Sequence, residues 1–514
     1  MNKINIIGAG LSGLSCAINL AKRGIGCNLF SSMPSERAQS VLAEGGINAA
    51  LNTMGENDTI KEHFMDTLIG GVYLEDADRI NNLVERAPET ILWLSRLGVP
   101  FQWENNNFVL RNFGGQKKKR TAYAKSSTGK ILMTALIDEA RKYEAVGLIN
   151  RLSHHELADF IINNGTLEGI IIKDRYTDIN YIVKGQTILC VGGLNGLFDG
   201  LTTGTTQNTS NAAAMAFYRG VELANLEFIQ YHPTTLKIGN KRLLITEAAR
   251  GEGGRLFVTK DGEPYYFMED KYPELKNLMP RDVVSREIYM LMKNGYKDVY
   301  LDMTAIPNKV WDNRLSDLRN EIINYTHKDP KIVPIEIEPS IHYFMGGIHV
   351  DINHKTNIKG LYAAGECAAI YHGANRLGGN SMLGAIVGGL IVANTISNDV
   401  ESDIIETNYL ESTKESPIIK KQVVDILEQS MGIIRNERSL NEALDSLERI
   451  KWLNLVDKTR IVLAKAIVES ALQRKESRGA HYREDYKDKD EKAYRSVVIY
   501  KNGKIIINKE EIHV

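Results

Sequence analysis

Gly8-x-Gly10-x-x-Gly13 stands directly after Ile4-Asn5-Ile6-Ile7 and opens the stretch Leu11-Ser12-Gly13-Leu14-Ser15-Cys16-Ala17-Ile18. The short apolar run reads as a buried strand and the stretch after it as a helix. Strand, glycine turn and helix in that order restrict the chain to a βαβ unit with a phosphate-binding turn. Gly8 permits the tight turn, Gly10 lets the backbone approach a pyrophosphate, and Gly13 lets helix and strand pack closely. The helix N-terminus offers free N–H groups and the positive end of its dipole. A packing turn without a ligand would use the same glycines, so the triplet alone does not decide. The second strand departs from the usual pattern. It runs from Leu29-Phe30 into Ser31-Ser32, where an acid ordinarily grips a ribose; a serine hydroxyl can bond that ribose without charge.

The chain has 514 residues, more than one compact core supports, so two or three domains are expected. Asp159-Phe160-Ile161-Ile162 and Ile170-Ile171-Ile172 flank Asn164-Gly165, a hairpin signal. Thr187-Ile188-Leu189-Cys190-Val191 reads as a strand ending at Gly192-Gly193, and Gly360 to Glu366 as another closing on a turn. Pieces of one nucleotide-binding fold are thus spread from residue 4 to about 395, interrupted between about 236 and 344. Leu, Ile and Ala at three- to four-residue spacing predict helices over about 408–476, and Lys501-Asn502-Gly503-Lys504 predicts a last hairpin. A net charge of -1 argues against nucleic acid as a partner. Cys16, Cys27, Cys190 and Cys367 form no C-x-x-C pair, so no zinc, iron–sulfur or haem ligand set is expected. No targeting peptide is visible, and no apolar run reaches the ~20 residues of a membrane span; Ala385 to Ile396 comes nearest. A cytoplasmic protein is expected, held at a membrane only through other subunits.

From Ala43 onward the sequence resembles a known family. Ala43-Glu44-Gly45-Gly46-Ile47-Asn48-Ala49-Ala50 is similar to the second flavin-binding segment of the fumarate reductase and succinate dehydrogenase flavoprotein subunits, whose superfamily includes L-aspartate oxidases. The likeness recurs at Gln230-Tyr231-His232-Pro233-Thr234, at Thr246-Glu247 through Gly254, and at Pro280-Arg281-Asp282. It returns at His342 to Gly347, at Gly373-Ala374-Asn375-Arg376-Leu377-Gly378, and at Arg474 to His481. The blocks keep the family's order and cover nearly the whole chain. The resemblance implies an α/β architecture: a Rossmann-like FAD-binding domain at 1–235 and 345–400, an inserted α+β capping domain at 236–344, and a C-terminal helical domain with a short tail at 401–514. It implies FAD as cofactor, with Gly8, Gly10, Gly13, Ser31, Ser40, Ala43, Glu44, Gly45, Gly46, Glu366, Asn380, Ser381 and Leu383 around it. Many respiratory relatives attach FAD covalently through a histidine just before Glu44. The matching position here is Gln39, so FAD is expected to be held by contacts alone. Thr209-Ser210-Asn211-Ala212 stands where relatives usually carry Thr-Gly-Asp-Gly, which predicts a loop that sits differently around the cofactor.

A dicarboxylate brings two charges that a buried site must match with donors. The resemblance assigns His342 and Arg376 to one carboxylate, His232 and Thr246 to the other, Arg281 as proton donor, and Glu247 with Arg250 as the path that reprotonates it. Read from the residues alone, Glu247 and Arg250 are a surface i,i+3 ion pair. The helix opening at Asn380-Ser381 can turn its positive end toward the flavin edge that gains negative charge on reduction. His154-His155-Glu156 reads as an exposed turn, Lys117-Lys118-Lys119-Arg120 as a solvated basic run, Arg478 and His481 as staples of the helical domain, and Phe344 and Met345 as cofactor-side packing.

Phe113 in Phe113-Gly114-Gly115-Gln116 separates family members: by resemblance, aspartate oxidases carry a Glu there for the substrate ammonium. Gly365-Glu366-Cys367-Ala368 also follows the dicarboxylate pattern. The expected activity is interconversion of fumarate and succinate, chiefly fumarate reduction, since a non-covalent flavin disfavours succinate oxidation. L-aspartate oxidase is the runner-up, and a non-catalytic electron-transfer or assembly subunit the reading from another class. Electrons would come from an iron–sulfur subunit or another soluble carrier.

Overall fold

The computed structural model describes residues 3–514 except 126, 206, 240, 397–402, 408 and 410–413. Its centre is a five-stranded parallel sheet in the order Leu361–Ala363, Thr187–Leu189, Lys3–Ile7, Gly26–Ser31, Ile149–Ser153. Strand Lys3–Ile7 is buried along nearly its whole length, as a central parallel strand covered on both faces must be. The chain builds this sheet from segments more than 350 residues apart, which makes an α/β dinucleotide-binding domain of the Rossmann type.

The fingerprint glycines are sterically required. A Cβ on Gly8 would lie 2.1 Å from the Cys190 carbonyl oxygen, and one on Gly13 1.9 Å from that of Gly8. Helix Leu11–Lys22 packs against helices Thr128–Ala145 and Asn380–Thr395. The last approach is close, since a Cβ on Gly389 would meet the Ser12 carbonyl at 2.4 Å.

The interruption folds as a second body on its own core, around Phe267, Met268, Val284, Ile288, Leu301 and Trp311. Its sheet runs in the order Lys241–Leu244, Ile229–Ile238, Ile335–Phe344, Val299–Asp302, Arg255–Lys260, Glu263–Tyr265. The two longest strands pair antiparallel, Ile229 opposite Phe344, and carry the chain into and out of this cap. The expected change at 235/236 therefore falls inside a strand. That at 400/401 lies outside the described residues.

Helices Pro417–Ser430, Glu437–Arg449 and Leu455–Gln473 form the helical part. Ser416, Asn436 and Asn454 cap them, each side chain accepting from an N–H three residues on. Both expected hairpins form, with Asn164-Gly165 and Asn502-Gly503 in left-handed turns. The tail is more than an appendage. Strand Tyr494–Lys501 joins a five-stranded sheet beside Leu223–Ala224.

Several expectations change on folding. Arg120 of the basic run is fully buried, because Asp58 at 2.8 Å and Asp66 at 3.0 Å bond its guanidinium. His154 occupies a left-handed turn against Tyr176, whereas His155 and Glu156 begin strand His155–Asn163 and are half-buried. Arg478 reaches across to the Val72 carbonyl at 3.0 Å, so it fastens the C-terminal region to the segment after helix Ile60–Gly70. Phe344 and Met345 are core residues.

Candidate active site

Two adjoining cavities, about 380 and 420 Å³, share Gly10, Gln39, Ser40, Cys190 and Gly192. Together they form one elongated cleft at the carboxyl ends of the parallel strands, where open α/β sheets bind ligands. Ile7, Gly8, Ser31 and Gly10 line the second cavity; Ser40 to Gly46, Glu366 and Ser381 line the first. A Cβ on Gly10 would stand 3.0 Å from the Ser40 hydroxyl and intrude on the cleft. Three helices, Leu11–Lys22, Asn211–Tyr218 and Asn380–Thr395, begin here with no bond from the N-cap side chain and no acid in the first turn, although the Ser40 hydroxyl accepts from the Leu11 N–H at 3.1 Å and that of Thr209 from the Asn211 N–H at 3.4 Å. Ser210, left-handed at the start of the second, has a buried hydroxyl with no partner among the described residues. Open N–H groups at buried helix starts call for an anionic or carbonyl ligand. The donor set and the cleft's length fit FAD.

The first cavity continues beneath the cap, where His232, Thr246, Glu247, Arg281, His342 and Arg376 all line it. Arg281, at the start of helix Arg281–Lys293, bonds Glu247 Oε2 through Nη2 at 2.7 Å and Nε at 3.1 Å. Arg250 lies behind and donates to Glu247 Oε1 at 3.0 Å; the Gly114 amide reaches the same oxygen at 3.1 Å. Gln230 Oε1 accepts from Arg281 Nη1 at 3.2 Å and from Arg376 Nη2 at 2.9 Å. The Arg376 guanidinium lies 4.4 Å from the centre of the Tyr343 ring. The rings of His232 and His342 meet edge-on at 5.2 Å. His342 is anchored through Nδ1 to the Thr203 hydroxyl at 2.8 Å, and His232 through Nδ1 to the Thr234 carbonyl at 3.1 Å.

Two guanidinium groups thus hold one carboxylate, and a third, that of Arg376, joins Arg281 through Gln230. Burial would raise the Glu247 carboxyl, but Arg281 and Arg250 outweigh it and hold it at about 2. Burial, followed by Arg281, pushes Arg376 down to about 9. Burial and the same cation hold His232 and His342 well below the usual imidazole value, so both rings are neutral. Such a pocket is short of negative charge, which an anionic ligand supplies. Glu366 differs: burial lifts its carboxyl to about 7, and one of its oxygens takes the Phe344 amide.

The surface reading of Glu247 and Arg250 fails, because both side chains are at most 1% exposed. Gly13 lies under the turn, with no wall in the cleft. Asn380 and Leu383 sit just beneath the cavity wall that Ser381 and Met382 form. Phe113 is buried, its ring against Gly45 and Gly378. Glu44 lines the first cavity along with Thr246, and burial holds its carboxyl well above the usual range. Sequence reasoning gave no role to Gln230 or Thr203. Gln230 stood in a quoted motif; nothing local singles out Thr203.

Two family models match, the FAD binding domain over residues 4–382 and the fumarate reductase flavoprotein C-terminus over 452–514. The succinate dehydrogenase flavoprotein subunit of Bacillus subtilis is 34% identical, over 95% of this chain and 92% of that one. An L-aspartate oxidase of Pyrococcus horikoshii is 36% identical, over 94% and 96%. Among solved structures, the FrdA chain of E. coli quinol fumarate reductase superposes with a TM-score of 0.86 at 26% identity, covering 100% of this chain and 97% of that one. The chain belongs to the FAD-dependent fumarate reductase and succinate dehydrogenase flavoprotein family.

Proposed function

We propose that this member of the fumarate reductase and succinate dehydrogenase flavoprotein family reduces fumarate to succinate. The observation that carries the reading is the pocket of Arg281, Arg376, His232 and His342 beside the cleft, cationic in excess and walled by Phe113 where an amino acid substrate would need a carboxylate.

One substrate carboxylate lies against Arg376 and His342, the other against His232 and the Thr246 hydroxyl. Arg376 grips with two parallel N–H bonds, and the anion offsets the cost of burying its charge. Gln230, neutral and bonded to both guanidinium groups, fixes the spacing of Arg281 and Arg376 without competing as an anion. FAD, when bound and reduced, would supply the hydride that reduction of a C=C bond needs. Arg281 delivers a proton from its guanidinium to the neighbouring carbon, which completes succinate. Glu247, bonded to Arg281 at 2.7 Å, guides a proton back to it, and Arg250 leads on toward the Asn277 carbonyl at 2.6 Å. With the cap's strands closed over the site, the low-dielectric surroundings strengthen each of these interactions.

Gln39 occupies the place of the linking histidine, so FAD is non-covalent and the balance favours fumarate reduction. No helix among the described residues is long and apolar enough to cross a membrane. Cytoplasmic placement, an iron–sulfur partner subunit as electron source and attachment to a membrane through such partners complete the reading. The test is fumarate-dependent reoxidation of reduced viologen by the purified, FAD-loaded chain. Turnover supports the proposal; binding of FAD without turnover of fumarate or succinate contradicts it and favours an electron-transfer or assembly role.

A further inference from the structure

Helix Asn380–Thr395 starts on a residue whose side chain points away from the cleft. The Asn380 amide is buried and holds three bonds at once. Its Nδ2 donates to the Thr67 hydroxyl at 3.0 Å, and its Oδ1 lies 3.0 Å from His63 Nε2 and 2.8 Å from Asn48 Nδ2. The Thr67 hydroxyl gives its own proton to the His63 carbonyl at 2.8 Å, so it can only accept from Asn380. That fixes which end of the amide is which.

Asn48 is saturated as well. Its Nδ2 also donates to the Gly378 carbonyl at 2.7 Å, and its Oδ1 accepts from Gln116 at 2.8 Å and Thr121 at 2.6 Å. Its backbone N–H donates to the Gly379 carbonyl at 3.1 Å. Gly379 is left-handed, and a Cβ there would stand 2.1 Å from Asn48 Oδ1. The remaining donor to Asn380 Oδ1 is therefore the His63 ring, as the tautomer that carries its proton on Nε2. Burial, reinforced by Arg120, keeps the ring uncharged and lowers it to about 3. His63 and Thr67 both project from helix Ile60–Gly70, so the amide ties one helix to the first residue of the other. Ser381 and Met382, the next two residues, form the wall of the cleft, and no side chain caps this helix.

We propose that His63 is a positioning residue for the flavin site: by holding the Asn380 amide it fixes the direction in which the uncapped first turn of helix Asn380–Thr395 faces the cofactor. The proposal rests on the FAD reading above. A helix N-terminus aimed at a ring that gains negative charge on reduction stabilises the reduced form over the oxidised one. With one of its three bonds lost, the amide holds the first turn less firmly, and the reduced form loses part of that preference.

The experiment measures the two-electron midpoint potential of bound FAD by spectroelectrochemistry in the FAD-loaded protein and in the variants His63→Leu, His63→Gln and Thr67→Val. In His63→Leu the reduced form should lose tenfold in relative stabilisation, a shift of about 30 mV to more negative potential. His63→Gln keeps an N–H donor within reach and should recover most of the loss. Thr67→Val removes the acceptor on the other end of the amide, keeps the volume, and should shift in the same direction. A potential unchanged in both His63→Leu and Thr67→Val, with FAD still bound, overturns the role of His63 and leaves the functional reading intact. Should His63→Leu fail to take up FAD, Thr67→Val decides alone. Wild-type protein that takes up no FAD overturns both.

Discussion

Glu247 meets Arg281 with one oxygen, Oε2, at 2.7 and 3.1 Å, and keeps the other for Arg250. A carboxylate shared in this way cannot neutralise both guanidinium groups fully, and a substrate anion enters a pocket that still attracts it. Arg281→Lys keeps the charge and loses the fork and the reach. Its expected effect is a fall in kcat of at least about a hundredfold, the scale of a lost general acid, with fumarate affinity within a few fold of wild type. Steady-state kinetics and a direct binding titration check it. A variant that raises only KM would reassign Arg281 to binding.

Glu247→Gln removes the one anion between the two arginines while keeping its shape. Reprotonation should become limiting and kcat should drop, whereas dicarboxylate binding should tighten or stay unchanged, because the ligand then meets an uncompensated cationic pair. Weaker binding together with normal kcat would contradict the relay.

Gln39 lines both cavities and accepts from the Thr205 amide at 2.5 Å, and an amide nitrogen does not form the ring linkage that a histidine can. FAD should leave the chain completely on acid denaturation and appear in the supernatant. Yellow fluorescence that stays with the chain on a denaturing gel would refute this.

Six histidines, His63, His232, His342, His354, His372 and His481, are held below the usual imidazole value by burial. The unfolded chain binds protons at these rings near pH 6.5 while the folded chain does not, so stability is lost as pH falls below about 6.5. The slope is about 1.4 kcal/mol per pH unit for each ring. Glu366, lifted to about 7, works the other way between about pH 7 and its unfolded value near 4.3, and Glu44 and Asp282, also raised by burial, add to it, so that part of the histidine slope is offset. Urea unfolding at pH 8, 7, 6 and 5 should show a steep decline below pH 6.5, and His342→Gln should flatten it. Stability that rises as pH falls from 7 to 5 would contradict the neutral assignment.

The dinucleotide turn was legible because its signal is local: an apolar run, glycines at fixed offsets, and a helix within twenty residues. The hairpins at Asn164-Gly165 and Asn502-Gly503 were legible for the same reason. The burial of Arg120 was not, since Asp58 and Asp66 that neutralise it lie more than fifty residues away and only the fold brings them together. Glu247 and Arg250 carry the spacing of an ordinary surface pair, and only the cap's packing excludes water from them. Gln230 earned no role beforehand, because an amide becomes a bridge only when Arg281 and Arg376, from distant segments, arrive on the same oxygen.

On the proposed function, Phe113 is the residue that separates the two substrate classes. Its buried ring stands beside Gly378 and Gly45 at the cavity wall, and a substrate ammonium placed there would lose water and gain from the ring a cation–π contact of roughly 0.5–2 kcal/mol, while the neighbouring Glu247 is already engaged by Arg281 and Arg250. An unpaired buried charge costs several kcal/mol, so the contact does not compensate. The direct measurement is kcat/KM for fumarate reduction by reduced viologen against kcat/KM for L-aspartate oxidation, on the same purified, FAD-loaded protein. The account predicts fumarate turnover at least about a thousandfold more efficient than L-aspartate oxidation. L-aspartate oxidised with release of hydrogen peroxide, and fumarate and succinate left untouched, would contradict it.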